Sequence, residues 1–146
     1  MKKITFQGEY GAYSHLACTT AYPNLEPIPC RTFESALDDV RAGKSDLAMI
    51  PVENSVAGRV ADIHYLLGDY DLKIYAEHFQ KVEHQLLVKS GVNLNEITHV
   101  RSHTMAIGQC QAVIKELGLQ TIVMADTAGS AKYISEQEGS KDGAIA

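Results

Sequence analysis

A chain of 146 residues and 15.9 kDa can form one domain or two small lobes, and is too short for a multidomain assembly. A composition of 45% apolar and 21% charged residues excludes disorder and a coiled coil. Thirteen Lys and Arg against eighteen Asp and Glu leave a net charge of −5 with no basic cluster, which argues against nucleic acid as a partner. No window approaches the roughly 18 continuous apolar residues of a membrane span, and Met1-Lys2-Lys3 runs directly into a strand-like segment rather than the apolar core of a signal peptide. The sequence therefore reads as cytoplasmic, without a membrane partner. Cys18, Cys30 and Cys110 are odd in number, far apart and without CxxC spacing, so they read as buried or partly buried thiols rather than a disulfide framework or zinc site.

In chain order, 4–6 is a short β-type run ending in Gln7-Gly8-Glu9-Tyr10-Gly11, and a helix follows over 14–21, up to Pro23. Residues 27–30 are extended; Phe33, Ala36, Leu37 and Val40 then recur at helical spacing behind Thr32 as N-cap, with Gly43 closing the helix. The apolar run 47–50 predicts a strand covered on both faces, which stops at Pro51-Val52-Glu53-Asn54-Ser55. Val60, Ile63, Leu66 and Leu67 mark a third helix, and 72–88 reads as a long extended stretch. Beyond Ser90-Gly91 the alternation restarts, with a strand over 97–100, a helix over 105–117 stopped by Gly118, a strand over 121–124, a helix over 127–138 and a last strand over 143–146.

Strands alternating with helices predict an α/β fold with right-handed crossovers, and the restart after a long extended segment predicts two lobes, 1–76 and 77–146, with a cleft between them. The last strand reaches the final residue without cap or tail, so the chain reads as a fragment whose open apolar surface and strand edge would be covered by self-association, as a dimer or tetramer.

Four polar clusters follow predicted strands: residues 8–14, with Gly11 and Ser14; Glu53-Asn54-Ser55; Ser102-His103-Thr104; and Ala125-Asp126-Thr127. Ligands of α/β sheets lie beyond the carboxyl ends of the strands, where free N–H groups favour anions, so these clusters predict a small anionic ligand in the cleft. Formal positive charge nearby is confined to Arg59 and Arg101, which leaves carboxylate binding to backbone N–H groups and hydroxyls. Each cluster taken alone is also explained as an N-cap or a turn. Ser102 reads as a carboxylate ligand at a helix start, Glu53 as an acid if its carboxyl is desolvated, and Tyr10 and Tyr13 as cleft walls or as packing under the glycine turn. Six scattered histidines at 15, 64, 78, 84, 99 and 103 show no metal-ligand spacing, and no nucleophile or phosphate-loop signature is present, so neither metal nor cofactor is expected.

The segments Phe6-Gln7-Gly8-Glu9-Tyr10-Gly11-Ala12-Tyr13-Ser14, Pro51-Val52-Glu53-Asn54-Ser55 with Gly58, Ser102-His103 with Gln109-Cys110, and Asp126-Thr127-Ala128 resemble, in order and spacing, the motifs of the prephenate dehydratases. Thr104-Met105 stands where that family has Pro-Gln. The resemblance implies a two-lobed fold like that of type II periplasmic binding proteins and a cofactor-free carbon–oxygen lyase. Its reaction converts prephenate to phenylpyruvate, CO2 and water in phenylalanine biosynthesis. It further implies Glu53, Asn54, Ser102 and Gln109 as catalytic residues. Gly11, Ser14, Ser55, His103, Asp126 and Thr127 would contact or support the substrate. By the same resemblance a return segment with a Thr-Arg-Phe motif and a phenylalanine-binding ACT domain would lie outside this chain, which alone would be catalytically poor. The rival readings are an arogenate dehydratase and a non-catalytic two-lobed binder of a small carboxylate.

Overall fold

The computed structural model describes residues 2–56 and 58–146; Met1, the start of the expected first lobe, and Ala57, between Ser55 and Gly58, lie outside the described residues. In chain order the first elements are β1 (Lys3–Gln7), α1 (Tyr13–Ala21), β2 (Glu26–Cys30), α2 (Phe33–Arg41), β3 (Leu47–Met49), the short pair β4 (Glu53–Asn54) and β5 (Gly58–Arg59), and α3 (Ala61–Asp69). They are followed by β6 (Leu86–Leu87), a 3-10 turn at Leu94–Glu96, β7 (His99–Ser102), α4 (Thr104–Gln109), α5 (Gln111–Glu116), β8 (Gln120–Val123), α6 (Thr127–Glu136) and β9 (Gly143–Ile145). The alternation is that of a mixed α/β fold.

Residues Met1–Val82 and Glu83–Ala146 form two compact units. The division falls beyond the expected boundary after residue 76, because the first backbone bonds tying the extended segment to the second sheet are those between Gln85 and Ala146, at 2.7 and 3.1 Å.

The first unit holds a parallel sheet of order β2-β1-β3. Central strand β1 is buried on both faces: Ile4 and Phe6 pack with Cys18 of α1, while the Thr5 hydroxyl lies 3.0 Å from the carbonyl of Ala36 in α2. Thr32 caps α2 as expected, in a reciprocal capping box with Ser35. Strand β3 departs from expectation. Among the described residues it pairs with β1 alone, and its own residues are half-buried rather than covered on both faces. Residues 51–59, expected as loop alone, contain the antiparallel pair of β4 and β5. Two-residue strands carry too little alternation to be read from sequence.

The second unit holds a sheet of order β6-β9-β7-β8, parallel except for β6 against β9. Its core joins Val100 of β7 and Ile145 of β9 to Ala106, Ile107 and Ile114 of α4 and α5. Two expectations are corrected here. The helix expected over 105–117 breaks at Cys110, whose φ of −103° and ψ of 10° leave the helical region. The last strand is not an open edge: β9 lies between β6 and β7, and Gly143, Ala144 and Ile145 are all buried. The edges of this sheet are β6 and β8 instead.

Candidate active site

In the second unit, the parallel register pairs Ser102 with Val123, and the N–H of Met124 donates to the carbonyl of Ser102 at 2.8 Å. The loops that carry His103 and Asp126 therefore leave the same edge of the sheet. Because β6 runs antiparallel to β9, the residues just ahead of β6, Gln85 and His84, arrive at that edge too. Sequence reading gives His84 no role, since no spacing connects it to Gln109, 25 residues further on. In the folded chain its Nε2 lies 2.6 Å from Oε1 of Gln109, the last residue of α4.

The placement of Ser102 at a helix start is corrected. Ser102 is the last residue of β7, fully buried on the same face as Val100, and its hydroxyl donates to the Ile145 carbonyl at 2.6 Å. The helix cap falls to His103, whose Nδ1 accepts the N–H of Met105 at 3.2 Å. The strand period of two explains the difference: the inward position that buries Val100 buries Ser102 as well. Asp126 is the N-cap of α6, accepting the Gly129 N–H on Oδ1 and the Ser130 hydroxyl, at 2.7 Å, on its backbone carbonyl. A Cβ at Gly129 would come within 2.9 Å of both carboxylate oxygens, so glycine makes room for the cap. The Asp126 carboxylate thus occupies the Gly129 N–H at the start of α6, and Thr127, the first residue of that helix, is half-buried beside it.

In the first unit the loop after β1 turns at Gly8 and Gly11, with φ of 121° and 91°, angles that disfavour any side chain. The Gly11 N–H donates to Nδ1 of His15 at 3.1 Å, and the His15 ring packs against Tyr10 and Phe6. His15 thus supports the glycine loop, a role with no signature in spacing. Tyr10 is largely exposed and bonds the Pro27 carbonyl at 3.3 Å; Ser14 is half-buried in the first turn of α1. Glu53 is exposed, at the first position of β4. Asn54 is half-buried, with Oδ1 accepting the Val56 N–H at 2.9 Å, and Ser55 is exposed.

Arg101, one of the two expected cations, is bound to Asp142 through Nε and Nη2 at 2.9 and 2.8 Å and lies over the Tyr133 ring. Arg59 sits on the exposed strand β5. With Arg101 committed to Asp142, the Gln109 amide is a neutral donor at this end of the sheet. Burial pushes the Cys18 thiol up to about 12, and burial also raises the Cys110 thiol near Gln109, so neither presents a ready thiolate. Among the described residues no three His, Cys, Asp or Glu side chains converge as metal ligands.

A sequence profile described as prephenate dehydratase matches residues 4–146. The chain belongs to the prephenate dehydratase family. Among its relatives, a bifunctional N-acyl-homoserine lactone acylase/prephenate dehydratase of Komagataeibacter europaeus is 46% identical over 98% of this chain and 51% of its own length. Arogenate dehydratase 2 of Petunia hybrida is 38% identical over 99% of this chain and 36% of its own length. Among solved structures, GqqA, titled a novel type of quorum quenching acylase, superposes with a TM-score of 0.89 at 45% identity, covering 99% of this chain and 53% of its own. The prephenate dehydratase of Arthrobacter aurescens, solved in complex with L-Phe, gives a TM-score of 0.80 at 28% identity over 98% of this chain and 49% of its own. The chain thus spans about half the length of these structures, and about a third to a half of these relatives.

Proposed function

We propose that this chain supplies catalytic and binding residues of a prephenate dehydratase, a lyase of phenylalanine biosynthesis that converts prephenate to phenylpyruvate, CO2 and water. The observation that carries this reading is the family match running through residues 4–146, together with the motif residues gathered at strand ends in each unit. Aromatisation of the cyclohexadiene ring drives the reaction, so the protein must hold the carboxylates with little cationic help and donate a hydrogen bond to the departing hydroxyl. Gln109 and His103 in the second unit, and Asn54 and Ser55 in the first, are the side chains suited to contact the substrate. Ser102 and Asp126 act by shaping β7 and α6 around it, and Glu53, being exposed, acts only if substrate desolvates it. Two lobes, 1–76 and 77–146, cytoplasmic location and homo-oligomerisation as a dimer or tetramer belong to the same reading.

Plant relatives are named arogenate dehydratases, and the Komagataeibacter relative also carries an acylase name. The test is to incubate the protein that carries this chain with prephenate, arogenate or an N-acyl-homoserine lactone in parallel. Phenylpyruvate formation well above the spontaneous rate supports the proposal; phenylalanine from arogenate, or lactone deacylation, without prephenate turnover overturns it. Gln109→Ala is expected to lower prephenate turnover on the order of 10²-fold with little change in melting temperature, as for loss of one donor aimed at developing charge. Unchanged turnover would reassign Gln109 to helix packing.

A further inference from the structure

The break of the helix at Cys110 leaves Gln109 at the end of α4, with the Cys110 N–H directed at the carbonyls of both Ala106 and Ile107, at 3.0 and 3.2 Å. A carboxamide there can present either its oxygen or its nitrogen to a ligand, and only the nitrogen attracts a carboxylate. His84 settles that choice when its Nε2 carries the ring proton. Its backbone is held beside the paired bonds of Gln85 and Ala146, and its Nε2 meets Gln109 at Oε1, at 2.6 Å. With Nε2 protonated, the imidazole donates to the amide oxygen and disfavours the flipped amide, which would set N–H against N–H.

We propose that His84 is a positioning residue, holding the Gln109 carboxamide by its oxygen so that the two amide hydrogens are kept for an acceptor oxygen of the substrate. The inference rests on the dehydratase reading of Gln109. His84 itself touches no reacting atom; it acts by removing the amide's alternative orientations before the ligand arrives.

The experiment is a calorimetric titration of the protein with phenylpyruvate as probe, using wild type, His84→Leu, His84→Gln, Gln109→Ala and the double variant that combines His84→Leu with Gln109→Ala, each checked by thermal melting. Loss of one orienting bond is expected to weaken binding by about 3- to 10-fold in His84→Leu. His84→Gln, whose amide nitrogen reaches about as far as Nε2, should restore it. In the Gln109→Ala background the leucine substitution should add no further loss. In spectra of the 15N-labelled protein, the Gln109 side-chain amide pair should be sharp in wild type and His84→Gln and averaged in His84→Leu. Should the leucine variant fail to fold, His84→Asn, whose amide stops short of Oε1, replaces it with the same expected loss. Equal binding by the Gln variant and the Leu or Asn variant, or an unchanged loss in the Gln109→Ala background, overturns the role of His84 while leaving the dehydratase reading intact. A wild-type protein that does not bind phenylpyruvate counts against that reading and overturns this inference with it.

Discussion

Ser102 shows how one residue can carry a family motif and still be occupied structurally. Its hydroxyl answers the Ile145 carbonyl just past the last paired residues of β7 and β9, where the ladder offers no further N–H. Ser102→Ala should therefore destabilise the protein by about 1–3 kcal/mol, since it leaves a buried carbonyl without that donor. Denaturant melts check this, and Ser102→Thr should not restore the loss fully because its added methyl enters a fully buried site. A melt unchanged in Ser102→Ala would free the hydroxyl for substrate and return the residue to the role its motif suggests. Glu53 and Asp126 illustrate the same point with opposite outcomes. One carboxylate is left in water, and the other caps a helix start by accepting the Gly129 N–H.

At the scale of elements, caps and periodicity are legible in the sequence and edges are not. Thr32 and Gly43 bracket α2 as their chemistry requires, and the helix start after His103 and the one at Thr127 fall within a residue or two of expectation. The role of β9 escapes a sequence reading because a three-residue strand says nothing of its neighbours. Only the sheet order shows that it is interior, with Gly143 packed so closely that a Cβ would lie 2.9 Å from Leu86 Cδ1 and 3.5 Å from the Leu87 carbonyl. Gly143→Val should cost about 1–3 kcal/mol by overpacking this site. The measurement is equilibrium unfolding of the variant, and wild-type stability would mean that the strand can shift away from β6.

At the scale of the whole molecule, the clearest pH dependence comes from Glu96. The Lys141 ammonium, with the backbone N–H and side-chain amide of Asn93, holds its carboxyl down at about 2, below the ordinary 4.5. The lysine precedes β9 and the glutamate closes the turn ahead of β7, so the pair joins the entries of adjacent strands. A depressed carboxyl adds stability that is fully present above about pH 5 and lost as pH falls toward 2. Wild type should melt above Glu96→Gln at neutral pH, by a margin reduced in high salt because both groups are partly exposed, and the two should converge near pH 2. A margin constant from pH 7 to 2 would show that the charge pair contributes nothing.

By itself the sequence determined the α/β alternation, most helix starts and, through four short motifs in order, the family. Those features are local: periodicity, caps and motif spacing are written in neighbouring residues. The tertiary structure alone decided which polar residues remain available. It buried Ser102 against Ile145, spent Arg101 on Asp142, broke the helix at Cys110 and set His84 against Gln109. Each depends on residues distant in sequence or on packing around a single turn, and a hydrogen bond between groups 25 to 43 positions apart leaves no period for a sequence to display.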